Sequence, residues 1–115
     1  MAFDVSKLAD IVDTMDRYIA AVRPRPEIRA QLDLGYELVG NSVFLHEIRP
    51  VWNDRDKIMR NAYAKATFVK SQGIWKIYWL RGNLKWEAYE PVPVVKKLSE
   101  FLKVVDEDVH CCFKG

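Results

Sequence analysis

Four groups of residues have the types and spacing from which a small protein builds chemistry. The first runs along three strand-like segments, where Tyr63, Lys65, Lys76, Tyr78, Lys85 and Tyr89 fall on alternate positions. Strand alternation assigns them to one face and gives Ala64, Ala66, Phe68, Trp75, Ile77, Trp79, Trp86 and Ala88 to the other, core-facing side. Tyrosine rings beside lysines on a sheet suit unpaired nucleic acid, since rings stack on bases while ammonium groups neutralise phosphates. The same residues are ordinary on a solvated strand face, where long side chains pair across strands and discourage edge aggregation. No aromatic RNA-recognition signature accompanies them.

The second group is Asp33 near one strand start and Glu47-Ile48-Arg49 on the next strand. A carboxylate followed by Glu-x-Lys on a neighbouring strand is a nuclease arrangement in which acids hold Mg²⁺ and the lysine steadies the attacking water. Arginine stands here in place of the lysine and does not readily release a proton. A structural ion pair across the hairpin is the competing reading, and it is favoured. The third group, His110-Cys111-Cys112 with His46, has soft ligands suited to zinc. Adjacent cysteines lack the usual chelating spacing, so a packed or reactive tail is expected, with no metal and no cofactor. The fourth, Arg23, Arg25 and Arg29 with Trp52 and Trp86, forms a candidate anion site, because arginine forks carboxylate and phosphate and stacks on rings. Its competitor, docking of the acidic Asp106-Glu107-Asp108 end against that connector, is favoured.

The elements that must position these groups follow from periodicity. From Val5 to Val22, Leu8, Ile11, Val12, Met15, Tyr18, Ile19 and Val22 recur at three- and four-residue intervals and predict an amphipathic helix. Asp4 or Ser6 caps it, and Pro24 and Pro26 end it in a connector expected to run extended. Alternation over Gln31–Val39 and Ser42–Arg49 around Gly40-Asn41 predicts a hairpin. Pro50 to Lys57 is polar and proline-led, and is expected to form the longest loop, with a helical turn near Ile58 and Met59. Ala62–Lys70, Ile74–Arg81 and Leu84–Glu90, joined by Ser71-Gln72-Gly73 and Gly82-Asn83, predict a three-stranded meander. Val94, Val95, Leu98, Phe101, Leu102 and Val105 share one face of a second helix. The fold class is therefore α+β: an antiparallel sheet of about five strands, hairpin plus meander, flanked by an N-terminal and a C-terminal helix.

Composition bounds the rest. At 115 residues the chain has room for a single domain, 1–115, and its 50% hydrophobic and 30% charged residues are those of a folded protein. Eighteen basic against sixteen acidic residues leave a net charge of +2, so any nucleic-acid affinity must come from local clustering. The N-terminal residues lack a signal-peptide pattern and the apolar runs are too short for a membrane span. A cytoplasmic protein without membrane attachment is expected, and two adjacent cysteines fit a reducing compartment.

With these landmarks placed, the chain resembles a bacterial family catalogued as domain of unknown function 3024. Arg29-Ala30-Gln31-Leu32-Asp33-Leu34-Gly35-Tyr36 with Glu47-Ile48-Arg49-Pro50, Ala64-Lys65-Ala66-Thr67-Phe68-Val69-Lys70-Ser71, and Trp75-Lys76-Ile77-Tyr78-Trp79 leading to Leu84-Lys85-Trp86 carry the likeness. The resemblance implies a small bacterial protein and assigns no catalytic or binding residue. The expected role is non-catalytic binding by the Lys/Tyr face, with a nucleic-acid or protein partner, a homodimer being one form of the latter. The alternative is a metal-dependent nuclease using Asp33 and Glu47.

Overall fold

The computed structural model describes residues 3–110, 112 and 113. Its elements run α1 (Val5–Val22), β1 (Asp33–Val39), β2 (Ser42–Val51), β3 (Asp54–Val69), β4 (Ile74–Leu80), β5 (Trp86–Ala88), β6 (Val94–Val95) and α2 (Leu98–Glu107). Strands β1 to β5 form an antiparallel meander in sequence order, and β6 pairs with the far end of the β4 edge that β5 also occupies. The α+β class and the two flanking helices are as the periodicity predicts. No helix among the described residues is long and apolar enough to cross a membrane.

Local chemistry sets the element ends. The Asp4 carboxylate accepts from the Lys7 amide at 2.7 Å, satisfying one of the free donors of the first α1 turn. Gly40 takes φ +58°, and Val39 faces Ser42, so Gly40-Asn41 is a two-residue hairpin turn whose twist suits the strands it joins. Glu100 caps α2 by accepting from the Lys97 amide at 3.0 Å.

Both helices cover one face of the sheet. Ile11 and Met15 of α1 and Leu98, Phe101, Leu102 and Val105 of α2 are buried against Val43, Leu45, Ala64, Ala66, Trp75 and Ile77. Alanines at two central positions of β3 allow the helices to approach, and Trp75 fills the volume beside them at 1% exposure. Two tyrosine bonds fix the layers: Tyr18 of α1 donates to Asp106 of α2 at 2.6 Å, and Tyr36 of β1 donates to Asp16 of α1 at 2.8 Å.

Three local expectations need correction. Residues 50–57 are not the longest loop. A two-residue turn at Trp52-Asn53 joins β2 to a sixteen-residue β3, and no helical turn forms at Ile58 and Met59. Past the Asp33–Ile48 pair this hairpin has outrun β1 and projects as a two-stranded arm. Pro50 is tolerated because, beyond the end of β1, β2 is an edge with no neighbour to receive an N–H. Residues 55–61 of the arm are exposed on both sides, so they lack the polar/apolar alternation that marks a strand. The connector after α1 is not extended: its amides turn back, Ile28 to the Arg25 carbonyl and Gln31 to the Ile28 carbonyl. Finally, Val94 and Val95 belong to β6, and α2 starts at Leu98.

Candidate functional site

The face of the sheet away from the helices is the place where polar and aromatic groups converge. Directly opposed residues share a face, so the registers Glu37–Phe44, Phe44–Lys65, Lys65–Tyr78 and Tyr78–Ala88 define one row across five strands. Ser42, Thr67 and Lys76 form the next row, with the two hydroxyls 2.8 Å apart. Trp86 pairs with Leu80 and lies on this face too.

Two rings meet over this face. Phe44 and Trp86 stand on β2 and β5, with two strands between them, a backbone separation of about 14 Å at ordinary strand spacing. Their ring centroids are nevertheless 5.7 Å apart in an edge-on contact. Trp86 and Phe44 therefore lean toward one another over the two intervening strands. Lys65 lies among these rings: its Nζ is 5.5 Å from the Phe44 centroid, 5.1 Å from Tyr78 and 5.7 Å from Trp86. Each distance is within cation–π range. Among the described residues Lys65, Lys76 and Lys85 have no carboxylate at ion-pair distance. The face thus offers one ammonium group seated among three rings, with Lys76 exposed in the neighbouring row and Lys85 exposed in the turn before β5. At the β1 end His46 Nε2 comes within 3.2 Å of Glu37 Oε2, with the imidazole nearly buried.

The Lys/Tyr sextet does not stay together. Lys65, Lys76 and Tyr78 are on the outer face as expected, and Lys85 is exposed in the turn before β5. Tyr63 and Tyr89 are buried on the helix side, at 9% and 2% exposure. The cause for Tyr63 is a bulge: Leu45 faces Ala64 but His46 faces Ala62, so Tyr63 is an extra residue and the alternation slips at that point. Its hydroxyl is buried and has no hydrogen-bond partner among the described residues. Burial, with Glu47 and Asp106 nearby, pushes the Tyr63 phenol up to about 12. Tyr89 lies just past β5, packed against Phe113 at 4.8 Å. Trp86, expected in the core, takes the place on the outer face that the tyrosines vacate, and Phe44 joins it. Phe44 stood in an alternating run whose two faces were both apolar, Val43 and Leu45 against Phe44, which hid its direction.

The nuclease pair does not converge. Leu34, not Asp33, faces Glu47, so the two carboxylates point to opposite sides of the sheet. Arg23 grips Asp33 at 2.6 and 3.2 Å and the Leu34 amide adds a bond at 2.8 Å. The Arg23 bond holds the Asp33 carboxyl below the usual carboxylate range, with burial opposing it and the Leu34 amide adding to it. Glu47 is 3.1 Å from Arg49.

The arginine connector likewise finds its acid inside the chain. Arg23 takes Asp33, whose charge Arg29 also faces, so a resident carboxylate occupies the place of an outside anion. Arg29 Nε donates to the Pro24 carbonyl at 2.8 Å, and Arg25 lies 3.7 Å from Glu27. Trp52 is at the arm tip, 89% exposed, and Trp86 is in the aromatic cluster. Asp106 accepts from Tyr18 and Asp108 from the Phe113 amide. Cys111 lies outside the described residues. Among those described, no group of three His, Cys, Asp or Glu side chains could hold a metal ion.

No curated protein and no solved structure matches the chain. A family model described as a domain of unknown function, DUF3024, matches residues 3–115, and the chain belongs to that family.

Proposed function

We propose that this chain is a non-catalytic binding module whose outer sheet face takes single-stranded nucleic acid. The observation that carries the reading is Lys65, whose ammonium sits 5.1 to 5.7 Å from three ring centroids and has no acidic partner among the described residues. An unpaired cation half-buried among rings attracts phosphate more strongly than one on an open surface. Tyr78 and Trp86 offer flat surfaces to bases at sequence-tolerant cost, and Lys76 and Lys85 extend the charge beside them. The working residues are therefore Lys65, Lys76, Tyr78 and Lys85 with Phe44 and Trp86, while Tyr63 and Tyr89 serve the core. The adjacent cysteines and the family resemblance favour a bacterial cytoplasm as its setting.

Fluorescence anisotropy with a labelled oligothymidylate tests this. Binding at about 20 mM salt should weaken steeply by about 200 mM, as expected when a few phosphates are neutralised. Lys65→Ala should weaken it about tenfold and Tyr78→Ala or Trp86→Ala by a similar factor, each stacked base being worth about 1–3 kcal/mol. Absence of binding at the lowest salt, or binding untouched by these substitutions, contradicts the proposal.

A further inference from the structure

We propose that two copies of this chain associate edge to edge through the N-terminal half of β3, with Ile58 on the two-fold axis. This inference is independent of the nucleic-acid reading. On one side β3 is paired with β2, but on the other β4 covers only Ala64 to Val69. The stretch from Asp54 to Ala62 therefore presents an unpaired strand edge among the described residues. Residues 55–61 are all exposed, including Ile58 at 61% and Met59 at 40%. The β2 ladder jumps from the Pro50–Ile58 pair to Val51–Asp54, so residues 55–57 have no facing partner in β2 either. A long edge carrying apolar side chains templates addition of another strand unless something blocks it. This one contains no proline.

Its charges could act as the block, and their order shows what they fit. A two-fold axis normal to the sheet makes an antiparallel β3–β3 pair in which facing residues must share a side, so only alternate registers are available. Centred on Lys57, the pair sets two ammonium groups against each other. Centred on Met59, it sets Ile58 against Arg60 and Asp56 against Ala62, with no charge matched. Centred on Ile58, Asp56 faces Arg60 of the second copy and Arg60 faces its Asp56, flanking Ile58 against Ile58 on the same side. Lys57 then faces Met59, and Arg55 faces Asn61, so no like charges are opposed. Charges that repel an arbitrary strand thus complement a second copy. The two five-stranded meanders join into one sheet, with both aromatic clusters on the same side.

Sedimentation equilibrium over about 5 to 500 µM, a range spanning ordinary weak-to-moderate association energies, reads the outcome. The wild type should sediment as a dimer. Asp56→Arg, which places arginine opposite Arg60 twice, and Arg60→Asp, which opposes two carboxylates, should each raise the dissociation constant about tenfold to a hundredfold. The double variant Asp56→Arg/Arg60→Asp should restore it. These side chains are exposed, so circular dichroism should confirm that all variants fold. A wild type that stays monomeric throughout, a dimer insensitive to both reversals, or a double variant that fails to recover the dimer would each overturn the proposal.

Discussion

Replacing Tyr63 by phenylalanine should make the protein more stable. The hydroxyl of Tyr63 is buried between the sheet and the helices and lacks a hydrogen-bond partner among the described residues. A buried polar group left unpaired costs about 1–3 kcal/mol relative to its hydrated state, whereas the ring makes nearly the same apolar contacts in either residue. The net expectation is a gain of about 1 kcal/mol, which raises the melting temperature of a domain of this size by about 4 °C. Urea unfolding monitored by circular dichroism gives the free energy, and a scan gives the midpoint. Alkaline titration supplies a second readout. Burial holds the phenols of Tyr36 and Tyr63 up at about 12, so in the unfolded chain they ionise first and stability falls as pH rises from the ordinary tyrosine value toward the folded one. The substitution should flatten that fall. A loss of 1 kcal/mol or more in Tyr63→Phe, or an unchanged alkaline profile, would refute the reasoning by showing that the hydroxyl is engaged or hydrated.

Other consequences are equally direct. Asp33→Asn should cost about 1–3 kcal/mol at neutral pH by removing a partly buried charge-assisted bond from Arg23. Because the folded-state pKa is depressed, that contribution exists above the unfolded carboxylate value near about 3.9 and disappears as pH falls through the folded one. Urea midpoints of the two proteins should therefore converge in acid, and a gap that persists at the lowest pH would contradict the assignment. Trp75→Ala should destabilise by about 3–5 kcal/mol, because the ring is fully enclosed under both helices and its loss leaves a cavity. A cost under about 1 kcal/mol in a urea melt would mean that the core collapses around the gap.

What was legible in the sequence follows from how well each segment separates its two sides. The α1 stripe from Leu8 to Val22 and the Gly40-Asn41 turn could be read because one face is buried and one wet, and because few residue pairs suit that turn geometry. The arm could not. With residues 55–61 exposed on both sides that stretch carries no burial signal, and Pro50 reads as a breaker although it sits on an edge that needs no donor. The site was half legible for a different reason. Period-two counting put Lys65, Lys76 and Tyr78 on the outer face correctly, but a single inserted residue at Tyr63 inverts every assignment made across it. No residue type near position 63 announces the bulge. Beyond β4 the count failed again at Leu84, which takes φ +64° and resets the direction of Trp86 and Tyr89. The ring cluster itself depends on Trp86 and Phe44 meeting across two strands, a tertiary fact with no local marker.

The most direct test of the binding face is a map of amide and side-chain NMR shifts on adding an unlabelled oligothymidylate to the isotope-labelled protein at low salt. Shifts should concentrate at Phe44, Lys65, Lys76, Tyr78, Lys85 and Trp86, leaving Met15, Phe101 and the other helix-covered core residues in place. Shifts confined to the helices or to the arm, or no shifts at all, would contradict it.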